Sequence, residues 1–294
     1  MEAKTPVAPA KGGALVQSNI GGVKNAGLVI LGCLVVAVCL FLFVFGAPSH
    51  FLTEAGEVPS GVSSMWFWDD AAQGKYHPID LIGTIFKGGI IVPVLQCLFL
   101  TVIVLSVERY IALRGAKGTG NIAKFVADVK TKLEKNDIAG AQELCKKQKG
   151  SVAAVVSAAL VRYEEMDKNT VLTKEQKVLA LQKEVEEATA MEMPSLQQNL
   201  PIVATMTTLG TLVGLLGTVI GMIKSFQALS ASGAPDSTEL STGISEALVN
   251  TAFGIGTGAL AVISYNYFTN KIDNLTYAID EIGFSIVQTF QATH

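Results

Sequence analysis

Charged side chains, aromatic rings and histidines are scarce in this chain of 294 residues. Charged residues make up 16% of it, aromatic residues 7%, and only three histidines and four cysteines occur. The histidines are scattered, no cysteine–histidine spacing is typical of a metal site, and no phosphate-binding loop or nucleophile elbow is present. The sequence therefore excludes a soluble enzyme and predicts no cofactor, no bound metal and no nucleic-acid partner.

Long apolar runs dominate the chain instead. Hydrophobic residues make up 50% of it, and about 20 apolar residues in a helix cover the ~30 Å hydrocarbon layer of a bilayer. We expect an all-α integral membrane protein in contact with lipid, with about four transmembrane helices and with long helices extending into a helical cytoplasmic domain. The predicted transmembrane helices are residues 26–46, 88–108, 196–229 and 243–270.

The first apolar run leaves two interpretations. One is a secretory signal peptide, because Gly46 and Ala47 resemble a cleavage site. The other is a retained, additional membrane anchor. We favour the anchor, because the run is longer than the apolar core of a signal peptide.

Basic residues predict the orientation. About fifteen of the 22 Lys and Arg residues lie between Arg109 and Lys183, and basic residues beside membrane spans stay in the cytoplasm. The predicted cytoplasmic parts are a tail at 1–25, a helical domain at 109–195 and a helical tail at 271–294. The predicted loops on the opposite side are 47–87 and 230–242.

Local signals predict the helices near the membrane. Pro93 is expected to kink the second span near its outer end. The sequence Thr173-Lys-Glu-Gln176 is typical of a capping box, and the helix that it starts is expected to continue past Pro194 directly into the third span. Three shorter helices are expected at 120–135, 137–147 and 151–166. A seam with spacings of three and four should pack the last helix on the long one; it consists of Ile272, Leu275, Ile279, Ile282, Ile286 and Phe290.

Small residues follow one face of each of the last two spans. Spacings of three and four place them in line on a helix, where they allow a neighbouring helix to approach closely. The predicted helix-packing residues are Gly210, Gly214, Gly217 and Gly221 on the third span, and Gly254 and Gly258 on the fourth.

Polar side chains run beside these faces. Polar groups at membrane depth normally face protein or water, because lipid offers them no hydrogen bond. The candidate pore-lining residues are Thr211 and Thr218 on the third span, and Asn250, Thr251 and Thr257 on the fourth. The alternative is that the hydroxyl groups bond only to carbonyls of their own helix.

Glu246 is the only carboxylate adjoining the last two spans, at the outer end of the fourth. It is a candidate acidic entrance to the pathway, or a helix-terminal residue that complements the macrodipole. Lys224 is either its ion-pair partner or a side chain that extends to the membrane surface. The apolar runs of the four predicted spans, residues 26–45, 88–107, 200–226 and 247–268, contain no Asp, Glu or His. Proton conduction would therefore need a carboxylate from another chain, which points to a hetero-oligomer.

Four motifs follow in order along this region. They are LGTVIGMI at Leu216–Ile223, GISEAL at Gly243–Leu248, TAFG at Thr251–Gly254 and YN at Tyr265–Asn266. In this order they resemble the MotA/TolQ/ExbB proton-channel family, and ExbB most closely. The resemblance covers about Ile79 to Ile286.

The resemblance implies a homo-oligomer, a pentamer, in the inner membrane of a Gram-negative bacterium, with the two loops in the periplasm. It implies an ExbD- or TolR-like single-span partner with a membrane Asp, and a TonB-like protein on which proton flow does work. By position, Thr218 and Thr251 match the two pore threonines that face this Asp, and Glu246 matches the glutamate of the GI(A/S)EAL motif. The chain departs from the family at Leu260, where a proline is usual, and at Asn250, where a small residue or Thr is usual.

Three functional hypotheses remain from the sequence. The first is an ExbB-like subunit of a proton-driven motor for outer-membrane nutrient import. The second is a TolQ-like or gliding motor subunit for envelope integrity or movement. The third is a non-conducting membrane scaffold, which would not need threonines and an amide at membrane depth.

Overall fold

The computed structural model describes residues 22–23, 25–53, 56–59, 76–231 and 237–293. The predicted N-terminal tail and the centre of the predicted first loop lie largely outside these residues. Helices form most of the described chain. They are α1 (Ala26–Leu40), α2 (Leu81–Phe86), α3 (Ile91–Lys117), α4 (Ile122–Glu134), α5 (Ile138–Gln148), α6 (Gly150–Lys168), α7 (Lys174–Gln197), α8 (Leu200–Ala231) and α9 (Ser237–Thr293).

The described chain forms two compact units. The first, which we call the span unit, comprises Val23–Glu108 and Asn199–Tyr267. The second, which we call the helical unit, comprises in its described part residue 22, Arg109–Gln198 and residues 268–293.

Four helical segments within the described residues are long and apolar enough to cross a membrane. They are Ala26–Phe45 and parts of Ile91–Glu134, Leu200–Gln227 and Leu240–Thr293. The predicted class, an all-α membrane protein with about four transmembrane helices and long helices that extend beyond the spans, is confirmed.

The segment between the first two spans contains structure that the sequence did not predict. Two short antiparallel strands, β1 (Phe51–Thr53) and β2 (Tyr76–Pro78), pair with Phe51 opposite Pro78. Asp80 then caps α2, accepting a hydrogen bond from Gly83 N at 2.9 Å, and it contacts His50 Nδ1 at 2.7 Å. The hydrogen bond from Gly83 and the contact with His50 lower the pKa of the Asp80 carboxyl.

Pro93 lies in the first turn of α3, which begins at Ile91, and residues 88–90 form a turn before it. The N–H groups in the first turn of a helix have no acceptor within the helix, so a proline there removes no helical hydrogen bond. The expected reason for a kink is therefore absent.

The expected continuous helix from Thr173 into the third span is wrong. The capping box itself is confirmed, because Thr173 and Gln176 exchange both hydrogen bonds. However, α7 ends at Gln197 and α8 begins at Leu200, and between them Asn199 has a φ of 63°. Left-handed backbone ends a helix, and Asn is one of the few residues that tolerates it.

The helical unit buries the predicted seam. All six seam residues of α9 are at most 5% exposed, and near the end of the seam Phe290 meets the Tyr163 ring edge-on at 4.9 Å. The seam helix packs on α7, because an added Cβ at Gly283 would lie 2.6 Å from Val185 Cγ1. In α5, Cys145 is fully buried, and burial raises the pKa of its thiol to about 12.

Candidate functional site

Helices α8 and α9 approach each other to backbone contact along their glycine faces. A Cβ added at Gly254 would lie 2.6 Å from Gly210 O and 2.7 Å from Gly214 Cα. A Cβ added at Gly221 would lie 2.8 Å from Gly243 O. Real Cβ atoms do not come this close to backbone, so only glycine fits at these positions.

All six predicted packing glycines lie close to the other helix. At each of them an added Cβ would lie within 3.1 Å of an atom of that helix. Three of them contact polar side chains: Gly217 lies against Asn250, Gly210 against Thr257, and Gly258 against Thr211. The polar residues singled out from the sequence are thus placed beside the glycine faces.

Thr218 of α8 and Thr251 of α9 lie opposite each other, and their hydroxyl groups are directly hydrogen-bonded. Thr251 also donates to Ala247 O at 3.1 Å, and Thr218 lies 3.3 Å from Gly214 O. Both side chains are half-buried. This pair is therefore a hydroxyl bridge between two helices, with one side open to the surroundings of the chain.

The other two threonines bond within their own helices. Thr211 donates to Thr207 O at 3.2 Å and is exposed, whereas Thr257 donates to Phe253 O at 2.8 Å and is fully buried. For these two hydroxyl groups, the hydrogen bonds are those of the alternative considered from the sequence, in which a hydroxyl bonds to a carbonyl of its own helix.

Asn250 lies inside the span unit and is fully buried. Its Nδ2 donates to Gly88 O at 3.0 Å, in the turn before α3. Its Oδ1 accepts no hydrogen bond from the residues that the structure describes. The amide therefore links α9 to this turn, while its contact with Gly217 links it to α8.

Glu246 and Lys224 form an ion pair across the ends of α8 and α9. Lys224 Nζ donates to the two carboxylate oxygens at 2.8 and 3.1 Å. The Glu246 side chain is 7% exposed, and that of Lys224 is 50% exposed. Of the two alternatives for Lys224, the ion pair is the one present. The Lys224 ammonium balances the charge of Glu246, which precedes Thr251 of the hydroxyl bridge by five residues.

Two contributors were missed by the sequence analysis. The first is the Gly88–Gly89 turn, which contacts both Asn250 and Glu246. The second is Ser225, which is 1% exposed and donates to Gly221 O at 3.1 Å. Two adjacent glycines ahead of an apolar run signal a turn, but that signal does not say what the turn contacts. Within the described ranges, no group of three or more His, Cys, Asp or Glu side chains could hold a metal ion.

Comparison with known sequences bears on this site. Residues 148–281 match the family described as "MotA/TolQ/ExbB proton channel family". The predicted resemblance is confirmed. The matched part of the chain contains the hydroxyl bridge and the ion pair. The Gly88–Gly89 turn and α1 precede this part.

Individual relatives match over shorter stretches. The chain is 34% identical over 82 residues to the Tol-Pal system protein TolQ of Haemophilus influenzae, covering 28% of this chain and 36% of the relative. It is 36% identical over 88 residues to TolQ of Pseudomonas aeruginosa, covering 30% and 38%. It is 36% identical over 81 residues to the biopolymer transport protein ExbB of Helicobacter pylori, covering 28% and 56%. The chain thus spans less than two-fifths of the length of these TolQ relatives.

The matched family indicates a class of function. MotA/TolQ/ExbB proteins are channel and motor subunits, and they are not enzymes. With four candidate spans in its described residues, the chain is an all-α membrane protein, and residues 148–281 of it match this family.

Proposed function

We propose that this protein is an ExbB-like subunit of a proton-driven motor in the inner membrane of a Gram-negative bacterium. In this proposal a ring of its copies, a pentamer, encloses the helices of an ExbD-like partner. The partner supplies the membrane Asp, and proton flow through the complex does work on a TonB-like protein for outer-membrane nutrient import.

The hydroxyl bridge between Thr218 and Thr251 carries this proposal. It lies in the contact between two candidate spans, is half-buried, and uses two of the few polar groups at that depth. A hydroxyl group both donates and accepts, so such a pair can stabilise either protonation state of a carboxylate brought opposite it. A purely structural contact between α8 and α9 does not need this capacity, because the glycine faces already bring the helices together.

The other candidate residues receive different roles. Thr211 is exposed, so we assign it to the pathway beside Thr218. Asn250 and Thr257 are fully buried, and they act by holding α8 and α9 in place. Glu246 stabilises the same helix pair through Lys224 and offers no free negative charge at the entrance.

A TolQ-like role is the second candidate. It is favoured by the TolQ relatives, which match as well as the ExbB relative, at 34–36% identity. Both roles use the same hydroxyl bridge and differ in the partner. A non-conducting scaffold is the third candidate and predicts that the bridge has no role in energy transduction.

Replacing Thr218 or Thr251 by Val tests the proposal, because Val keeps the shape and removes the hydroxyl. We expect either variant to assemble normally and to abolish energy transduction in the native host. Uptake of an iron chelate through the outer membrane measures the ExbB-like role, and resistance to detergents measures the TolQ-like role.

Thr205→Val is the matched control. Thr205 lies on α8, is exposed, and donates to Pro201 O of its own helix at 2.8 Å. We expect it to retain full function. Unimpaired uptake and detergent resistance in both the Thr218→Val and the Thr251→Val strain would refute the assignment.

A further inference from the structure

The turn before α3 lies directly against the ion pair. Gly89 has a φ of 74°, and a Cβ added to it would collide with Glu246 Oε1 and lie 3.5 Å from Lys224 Nζ. The positive φ makes glycine the favoured residue here, and the contact leaves no room for a side chain.

The preceding residue contacts the next turn of α9. Gly88 O accepts the hydrogen bond from Asn250 Nδ2 at 3.0 Å, and Asn250 follows Glu246 by four residues, so both lie on one helix face. Two consecutive residues of the turn therefore contact two consecutive turns of α9.

The turn is itself anchored to the segment that joins the first two spans. Phe86 stacks on Phe41 with ring centroids 4.8 Å apart and meets Phe51 edge-on at 5.7 Å. These three rings and Val92 are at most 3% exposed and form one cluster. This cluster thus holds the turn, and its four residues lie outside the part of the chain that matches the family.

We propose that Gly88, Gly89 and Asn250 are positioning residues that clamp the Lys224–Glu246 ion pair closed. If the Lys224 ammonium moved away, the Glu246 carboxylate, which is 7% exposed, would have no counter-charge. The clamp therefore keeps this end of α8 and α9 fixed. Thr251 follows Glu246 by five residues, about 7 Å along the helix. The clamp thereby sets the register of the hydroxyl bridge, a consequence that rests on the proposed function.

The test compares two glycines with the same backbone but different surroundings. Gly89→Ala places a methyl group against Glu246 and Lys224. Gly56→Ala is the matched control, because Gly56 has a φ of 79° and an added Cβ would meet no heavy atom of the described residues within 4 Å. Both substitutions place alanine in left-handed backbone, and only the first disturbs the ion pair.

The readout is the acylation rate of the Lys224 amine by an N-hydroxysuccinimide ester, measured by peptide mass spectrometry on the full chain in lipid nanodiscs. We expect a severalfold faster rate in Gly89→Ala, because the ester reacts only with the neutral amine and a Lys224 side chain released from Glu246 is more accessible to it. We expect the wild-type rate in Gly56→Ala. Glu246→Gln, which removes the partner charge, sets the upper limit of the rate.

Asn250→Ala is the second variant and removes the link to Gly88 O without adding atoms. We expect it also to raise the rate. Maleimide labelling of buried Cys145 reports loss of the fold, and it should stay at the wild-type level. A wild-type acylation rate in both Gly89→Ala and Asn250→Ala, or an equal rise in Gly56→Ala, would overturn the clamp. The acylation rate does not depend on ion flux, so it tests the clamp even if the proposed motor function is wrong.

Discussion

Two glycines, two positions apart on α9, have opposite surroundings. Gly254 lies against the backbone of α8, whereas a Cβ added at Gly256 meets nothing within 4 Å. Gly254→Ala should therefore force the helices apart. Overpacking of this kind typically costs about 1–3 kcal/mol, so we expect a lower midpoint of thermal unfolding for Gly254→Ala in lipid nanodiscs.

Gly256→Ala provides the control on the same helix. The added methyl group enters open space and improves helix propensity, so its midpoint should equal or slightly exceed that of the wild type. Equal midpoints for the two variants would show that the close approach of α8 and α9 does not stabilise the protein.

Individual residues of the site were predictable only in part. Thr218 and Thr251 were singled out as polar residues on two apolar spans and by the family resemblance, but a pattern within one helix does not say which residue of another helix lies opposite. The sequence left the pairing of Lys224 with Glu246 open for the same reason. The left-handed backbone of Gly89 and its contact with Glu246 depend on how a distant turn packs, which no local pattern encodes.

Among the elements, the start of α5 depends on one carboxylate with two contacts. Asp137 accepts a hydrogen bond from Gly140 N at 2.9 Å as the N-cap, and it pairs with Lys132 Nζ at 2.6 Å. The ion pair and the cap both lower the pKa of the Asp137 carboxyl. Such a group stabilises the fold above its ordinary pKa of 3.8 and loses this contribution as the pH falls through its lowered value.

Substitutions at Asp137 should separate the two contacts. Asp137→Asn retains a cap and loses the ion pair, whereas Asp137→Ala loses both. At pH 7 we expect hydrogen exchange over residues 138–148 to be slowest in the wild type, slightly faster in the Asn variant and fastest in the Ala variant. At about pH 3 the difference in exchange rate between the wild type and the Asn variant should narrow as the carboxylate protonates. If this difference does not change with pH, the ion pair is not its cause.

Elements with local signals were predicted well, and those set by tertiary packing were not. The capping box at Thr173 begins α7 because both of its partners lie within one turn. The break at Asn199 interrupts an apolar pattern that continues on both sides, so periodicity alone predicts one long helix there. The strands β1 and β2 have three residues each and are separated by 22 residues, too short and too distant for an alternation pattern to reveal them.

At the scale of the whole molecule, the positions of the carboxylates bear most directly on proton conduction. Glu246 lies at the end of its span and is paired with Lys224, and the candidate spans Ala26–Phe45 and Leu200–Gln227 contain no Asp or Glu. The hydroxyl bridge has no strongly titratable group of its own. Under the proposed function, the partner chain therefore supplies the carboxylate at membrane depth.

Proton flux should accordingly require that second chain. Threonine hydroxyls donate and accept hydrogen bonds but do not give up a proton near neutral pH, so the hydroxyl bridge does not by itself carry a proton across the hydrocarbon layer. We expect a small single-span protein with an Asp in its span to co-purify from native membranes.

Liposomes with the purified chain alone should show no proton flux by an internal pH-sensitive dye, and those with both chains should show flux under a membrane potential. Changing the partner's Asp to Asn should abolish that flux, and replacing protons by sodium as the imposed gradient identifies the driving ion. Strong flux from the chain alone would place the relay within its own helices, where only the hydroxyl bridge and bound water could supply it.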